Sequence, residues 1–142
     1  GLTRTFESYD KAIKRNPNDV GAYYNRGVAY FDMGDYDRAR SDFDNAIGMD
    51  AAHWLAYLGR GKVGVIEGHV HSAIEDFKQA INYQPGLVEA HSNLGLAYQQ
   101  IGQSSLCSDI AQKAGKCSPD DRQVLYQKVL STTLSHNCYV LQ

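Results

Sequence analysis

The sequence predicts an all-α protein in which antiparallel helix pairs stack into a curved solenoid, ended by a C-terminal capping helix. Three observations predict it. Small and aromatic residues recur every 34 positions, glycines and prolines punctuate that period at fixed offsets, and the apolar residues between them follow helical spacing.

The period is exact across several series. Ala12, Ala46, Ala80 and Ala114 lie 34 residues apart, as do Gly27, Gly61 and Gly95, and Gly34, Gly68 and Gly102. Pro17, Pro85 and Pro119 fall on the same ruler, with Ala51 in the one empty proline slot. Tyr9, Phe43 and Phe77 form an aromatic series that stops at Ala111.

Each element follows in order. The first copy, residues 1–19, holds only a second helix, Leu2 to Arg15, ended before Pro17 because proline cannot continue a helix. Residues 20–53 are a complete copy. Tyr23, Gly27, Tyr30 and Phe31 share one face of its first helix, and Gly34 stops that helix by tolerating a left-handed backbone. Ala39, Phe43, Ala46 and Ile47 form the buried stripe of its second helix. Residues 54–87 and 88–119 repeat the plan. Residues 120–135 form a capping helix. Ser118 caps it, Pro119 fits its first turn, and Asp120 and Asp121 suit its dipole. Val124, Leu125, Val129 and Leu130 give it an apolar face, and its bulk is expected to fill the space a phenylalanine would take at Ala111. Residues 136–142 are a frayed tail. A glycine inside a helix costs about 1 kcal/mol against alanine, so Gly27 must be repaid by packing. The expected partner is Ala39, with Gly61 against Ala73 and Gly95 against Cys107.

These residues resemble the tetratricopeptide repeat family. Its pattern runs aromatic, leucine-glycine, tyrosine, glycine turn, then alanine, phenylalanine, alanine and proline. The match spans Tyr9 to Pro119, and it departs from the pattern at Arg26 and Arg60 (for leucine), Gly64 (for tyrosine) and Ala111 (for phenylalanine). The resemblance implies a right-handed superhelix whose first helices line a concave groove that takes a peptide or a partner helix. The groove positions are Tyr24, Asn25, Val28, Phe31 and Asp32 in one row, and Leu55, Leu58, Gly59, Lys62, Val65 and Ile66 in the next. Glu89, Ser92, Asn93, Leu96, Gln99 and Gln100 form the third. Asn25 and Asn93 are equivalent, and a primary amide offers a peptide backbone both donor and acceptor. Family members that read chaperone tails use a lysine, arginine and asparagine cluster, of which only Asn25 is matched. An internal peptide segment or a partner helix is therefore the expected ligand rather than a charged chain end.

Composition agrees with a protein partner. The 142 residues are 43% hydrophobic and 21% charged with a net charge of −2, which lacks the basic stripe of a nucleic-acid binder. No apolar run is long enough to insert in a membrane, and no secretory leader is visible, though the abrupt opening suits a fragment. Cys107, Cys117 and Cys138 form no Cys-x-x-Cys pair and read as free thiols in a reducing, cytoplasmic setting.

Several tempting motifs dissolve. "GRGKVG", Gly59 to Gly64, fits a dinucleotide fingerprint, yet Gly61 is in helical register with Gly27 and Gly95, and Gln79 stands where an acid should be. Its three glycines either are tolerated by packing or open the groove to a ligand. His69 and His71 read as exposed turn residues, with His53 about 24 Å away along a helix and His91 packed, so no metal is expected. The carboxylates of "SDFD" and "IEDF" read as solvent-facing. Neither a catalytic set nor a cofactor site emerges. The expected function is a protein-interaction scaffold or adaptor, with permanent self-association through an exposed first helix as the alternative.

Overall fold

The computed structural model describes the backbone of residues 2–114 and the side chains of residues 3–102. The expected capping helix, tail and Cys117 and Cys138 lie outside the described residues. All regular structure among them is helical: α1 Leu2–Arg15, α2 Val20–Met33, α3 Tyr36–Met49, α4 Trp54–Ile66, α5 Val70–Tyr83 and α6 Val88–Ala114. None of these helices is long and apolar enough to cross a membrane.

The turns repeat because their chemistry repeats. Gly34 and Gly68 take left-handed φ of 83° and 84°. After Gly34 the Asp35 N–H donates back to Tyr30 O at 2.9 Å, and after Gly68 the His69 N–H donates to Gly64 O at 2.7 Å, closing the last turn of α2 and α4. Asp35 then accepts from the Arg38 N–H and starts α3. The links between copies share another bond: Asp19 to Asn16, His53 to Asp50 and Leu87 to Gln84, at 3.0, 3.0 and 3.2 Å. The turn around Ala51 survives without proline because Asp50 accepts from the Ala52 N–H, as Asn16 does from Asn18.

Contacts between helices explain the curvature. α2 packs on α3 and α4 on α5 as hairpins, and α3·α4 and α5·α6 stack the hairpins. The first helices also touch along the inside, α2 with α4 and α4 with α6, whereas α1, α3 and α5 are too far apart to pair. A row held close on one side and splayed on the other bends toward the close side, so α2, α4 and α6 form the concave face. α1 turns Phe6 onto Tyr30, ring centroids 4.7 Å apart, and its described outward residues are polar.

Phenylalanine, not alanine, is the partner of the helix glycines. A Cβ on Gly27 would lie 2.9 Å from Phe43 Cε1, and one on Gly61 only 2.6 Å from Phe77 Cε1. Phe43 also reaches the next copy, where a Cβ on Gly59 would sit 2.6 Å from its Cζ. Only Gly64 meets Ala73, at 3.2 Å. The glycines of "GRGKVG" are therefore occupied by packing. Both phenylalanines are fully buried, as are Ala39, Ala46, Ala73 and Ala80 around them.

The last copy departs from expectation. α6 runs unbroken through Gly102, so Cys107 lies on the same helix as Gly95, about 18 Å further along, and cannot pack against it. Folding back would require burial to offset the turn. Ala111 cannot supply the contribution of about 2–3 kcal/mol that a buried phenylalanine makes.

One substitution should have opposite signs at two helix glycines. Gly61→Ala is expected to lower the urea midpoint, at a cost of about 1–3 kcal/mol, because the Phe77 ring must move. Gly48→Ala, with nothing within 4 Å, should raise stability by about 0.5 kcal/mol. Equal shifts at both sites would mean that the phenylalanine contact does not set the requirement for glycine.

Candidate peptide groove

On the concave face, helical spacing brings together Tyr24, Val28, Phe31 and Asp32 from α2 and Leu55, Leu58, Gly59 and Lys62 from α4. With Glu89 of α6 and the Phe43 ring they line a cavity of ≈ 120 Å³. Nine expected groove residues meet there: Tyr24, Val28, Phe31, Asp32, Leu55, Leu58, Gly59, Lys62 and Glu89. Leu58 is mostly core, only 4% exposed.

The rest lie elsewhere. Asn25 is exposed, Val65 packs on the buried cluster that includes Ala73, Phe77 and Leu94, and Leu96 and Gln100 are exposed on α6. Asn93 is half-buried, and its Nδ2 has no hydrogen-bond partner among the described residues. The two equivalent asparagines thus occupy different environments.

The cavity's chemistry is aromatic walls with a charged rim. Tyr24 faces Phe43 and His53, with centroids 6.0 and 5.1 Å away, and burial followed by the Glu89 charge raises its pKa above the ordinary tyrosine range. His53 is fixed because its Nδ1 accepts from the Ala56 N–H and caps α4. Lys62 Nζ donates to Glu89 Oε1 at 2.9 Å and sits 5.2 Å from the centre of the Phe31 ring. His91 Nε2, 2.7 Å from Pro85 O, must donate, since a carbonyl only accepts.

Of the carboxylates read as solvent-facing, Asp44 and Glu75 are exposed, but Asp42 and Asp76 are not. Asp42 is 2% and Asp76 8% exposed. Arg26 Nε and Nη2 donate to the two oxygens of Asp42, both at 2.8 Å, while Nη1 donates to Asp10 at 2.9 Å. Thirty-four residues on, Arg60 binds Asp76 at 3.0 and 2.8 Å and Asp44 at 2.8 Å. These bonds, against the lowering effect of burial, push both guanidinium groups further above their ordinary range. Each arginine therefore ties three successive helices together, on the side away from the cavity lining. This explains why arginine stands in the leucine slot. The signal was in the sequence as a repeated offset of 16 residues on either side of each arginine.

Tetratricopeptide repeat family models match residues 8–41 and 27–66, and a TPR repeat model matches residues 65–102. Among curated proteins, the BBSome complex member BBS4 of Bos taurus is 34% identical over 96 residues, 68% of this chain and 18% of the relative. The chain spans only 17–25% of the length of the first curated relatives it matches. Among solved structures, the second TPR domain of human RPAP3, in complex with the HSP70 peptide SGPTIEEVD, is 26% identical with a TM-score of 0.64. That likeness covers 68% of this chain and 80% of that one. MamA protein is 25% identical with a TM-score of 0.68, covering 92% of this chain and 63% of its own.

The arginine clamp predicts a rescue. Asp42→Ala should cost about 3 kcal/mol in urea unfolding, because the half-buried Arg26 loses two of its three bonds. Adding Arg26→Leu and exchanging Asp42→Ile instead should recover most of it, since Leu94 already stands buried at the arginine register. A pair no more stable than the single variant would show that the ions are needed for more than filling space.

Proposed function

The chain belongs to the tetratricopeptide repeat family, and on that premise we propose that it is a protein-interaction scaffold that holds an internal segment of a partner protein in its concave groove. The observation that carries the proposal is the cavity between α2 and α4, open on the inner face and walled by Tyr24, Val28, Phe31 and Leu55. Its aromatic and aliphatic walls suit an apolar side chain, and the exposed Asn25 amide suits a peptide backbone.

The RPAP3 relative supports peptide recognition on this fold, and its ligand ends in acidic residues. The present groove differs in charge. Lys62 is the one basic residue lining the cavity, and it is already paired with Glu89. An acidic tail would have to compete for that lysine beside Asp32. A protein partner also fits the net charge of −2 better than a nucleic acid does. The same reading puts the module in the cytoplasm, with its thiols reduced, and gives it no catalytic role. Self-association through α1 is the weaker alternative, because the exposed residues of that helix among those described are all polar.

Filling the cavity tests the groove. With a partner first captured on the immobilised chain and identified, Val28→Trp should weaken its binding in calorimetry by about tenfold or more, or about 1.4 kcal/mol. Helicity and melting should be retained. Unchanged affinity would place the binding surface elsewhere.

A further inference from the structure

We propose that the partner segment carries a leucine-sized apolar side chain that enters the α2–α4 cavity, with a lysine or arginine close by in sequence that pairs with Asp32 and the free oxygen of Glu89. The proposal rests on the groove reading above and adds the chemistry of the ligand.

Size sets the first requirement. At ≈ 120 Å³ the cavity is too small for a ligand that needs about 300 Å³ or more. It is close to the apolar cavity of about 150 Å³ that takes a benzene ring, so a single side chain fits. Its floor is apolar because of an irregularity in the repeat. Asn25 and Asn93 occupy the register at which α4 has Gly59, and without a side chain there the Phe43 ring comes to the surface of the cavity. No polar amide competes with an entering hydrocarbon at that point.

Charge sets the second. Of the three charged groups lining the cavity, Lys62 is engaged by Glu89 and by the Phe31 ring. Asp32 is exposed and has neither an ion pair nor a hydrogen bond among the described residues. The mouth therefore carries one uncompensated carboxylate, and a second that shares a single lysine. The raised pKa of the Tyr24 hydroxyl is consistent with the Glu89 charge reaching into the cavity. An incoming cation would neutralise Asp32 without displacing anything, whereas an incoming anion would have to break the Lys62–Glu89 pair.

Spacing sets the third. Asp32 lies one turn beyond Val28, about 6 Å along α2. An extended peptide advances about 3.3 Å per residue, so the basic residue is expected one to three positions from the apolar one.

The test is selection of phage-displayed random dodecapeptides on the full chain, followed by fluorescence anisotropy of the winning peptide. Wild type should enrich an aliphatic residue with lysine or arginine one to three positions away. Exchanging that basic residue for glutamate should weaken binding about tenfold or more. Asp32→Lys, a surface change that circular dichroism should show to leave the fold intact, should keep the apolar preference and abolish the basic one. Val28→Trp should abolish the apolar preference. Enrichment of acidic peptides, or an unaltered basic preference in Asp32→Lys, overturns this inference while leaving groove binding in place. Peptides that bind wild type and Val28→Trp alike overturn the groove reading itself.

Discussion

The architecture depends on a phenylalanine ring laid against bare helix backbone. Phe43 lies on Gly27 of its own hairpin and on Gly59 of the next, and Phe77 lies on Gly61. Losing such a ring would cost about 3–5 kcal/mol, whereas the glycines that admit it cost about 1 kcal/mol each. The balance favours close approach, and because Phe43 touches two first helices it fixes a hairpin and its stacking together. The contact of α2 with α4 along the inside follows from that shared ring. With the outer helices apart, a concave face results.

The arginine clamps complete this arrangement from a different direction. A nearly buried Asp42 or Asp76 must be paired, and a guanidinium can satisfy it with two bonds while sending a third to the preceding second helix. Such a set contributes little net stability over an apolar filling, but it tolerates no slip between helices. The sequence changes it only as a set. Asp10, Arg26 and Asp42 recur as Asp44, Arg60 and Asp76, and then all three give way to Lys78, Leu94 and Ile110. The replacement of all three coincides with α6, the helix that does not turn back at Gly102.

The periodicity made the helix pairs, their turns and the concave rows legible, because each depends on a residue type forced by backbone geometry. Depth was harder to read. Ala39 and Phe43 lie on the same stripe of α3, and spacing alone could not say which of them meets Gly27. Asp42 and Asp76 looked solvated because a lone carboxylate usually is, and only a comparison of offsets between repeats reveals their arginines. Gly102 matched Gly34 and Gly68, but a glycine permits a turn without causing one. The missing cause was an aromatic at Ala111, since α5 folds back after His69 with no side-chain cap. Within the groove, helical register selected the correct face. It did not separate Tyr24, Val28, Phe31 and Lys62, which share a cavity, from Asn25, Leu96 and Gln100, which do not.

The placement of the cavity follows from the same constraint that holds the fold. A ring needs bare backbone, and Gly59 supplies it on the edge of α4 that also lines the cavity. The packing that joins the first two hairpins therefore brings a core residue, Phe43, to the floor of the inner surface between them. One repeat later the equivalent position is Asn93, and the glycine contact of Phe77 there is with Gly61 of its own hairpin. The inner surface thus inherits an apolar site where the core needs glycine and a polar one where it does not. Recognition chemistry along the groove is in this sense a by-product of how each hairpin is joined to the next.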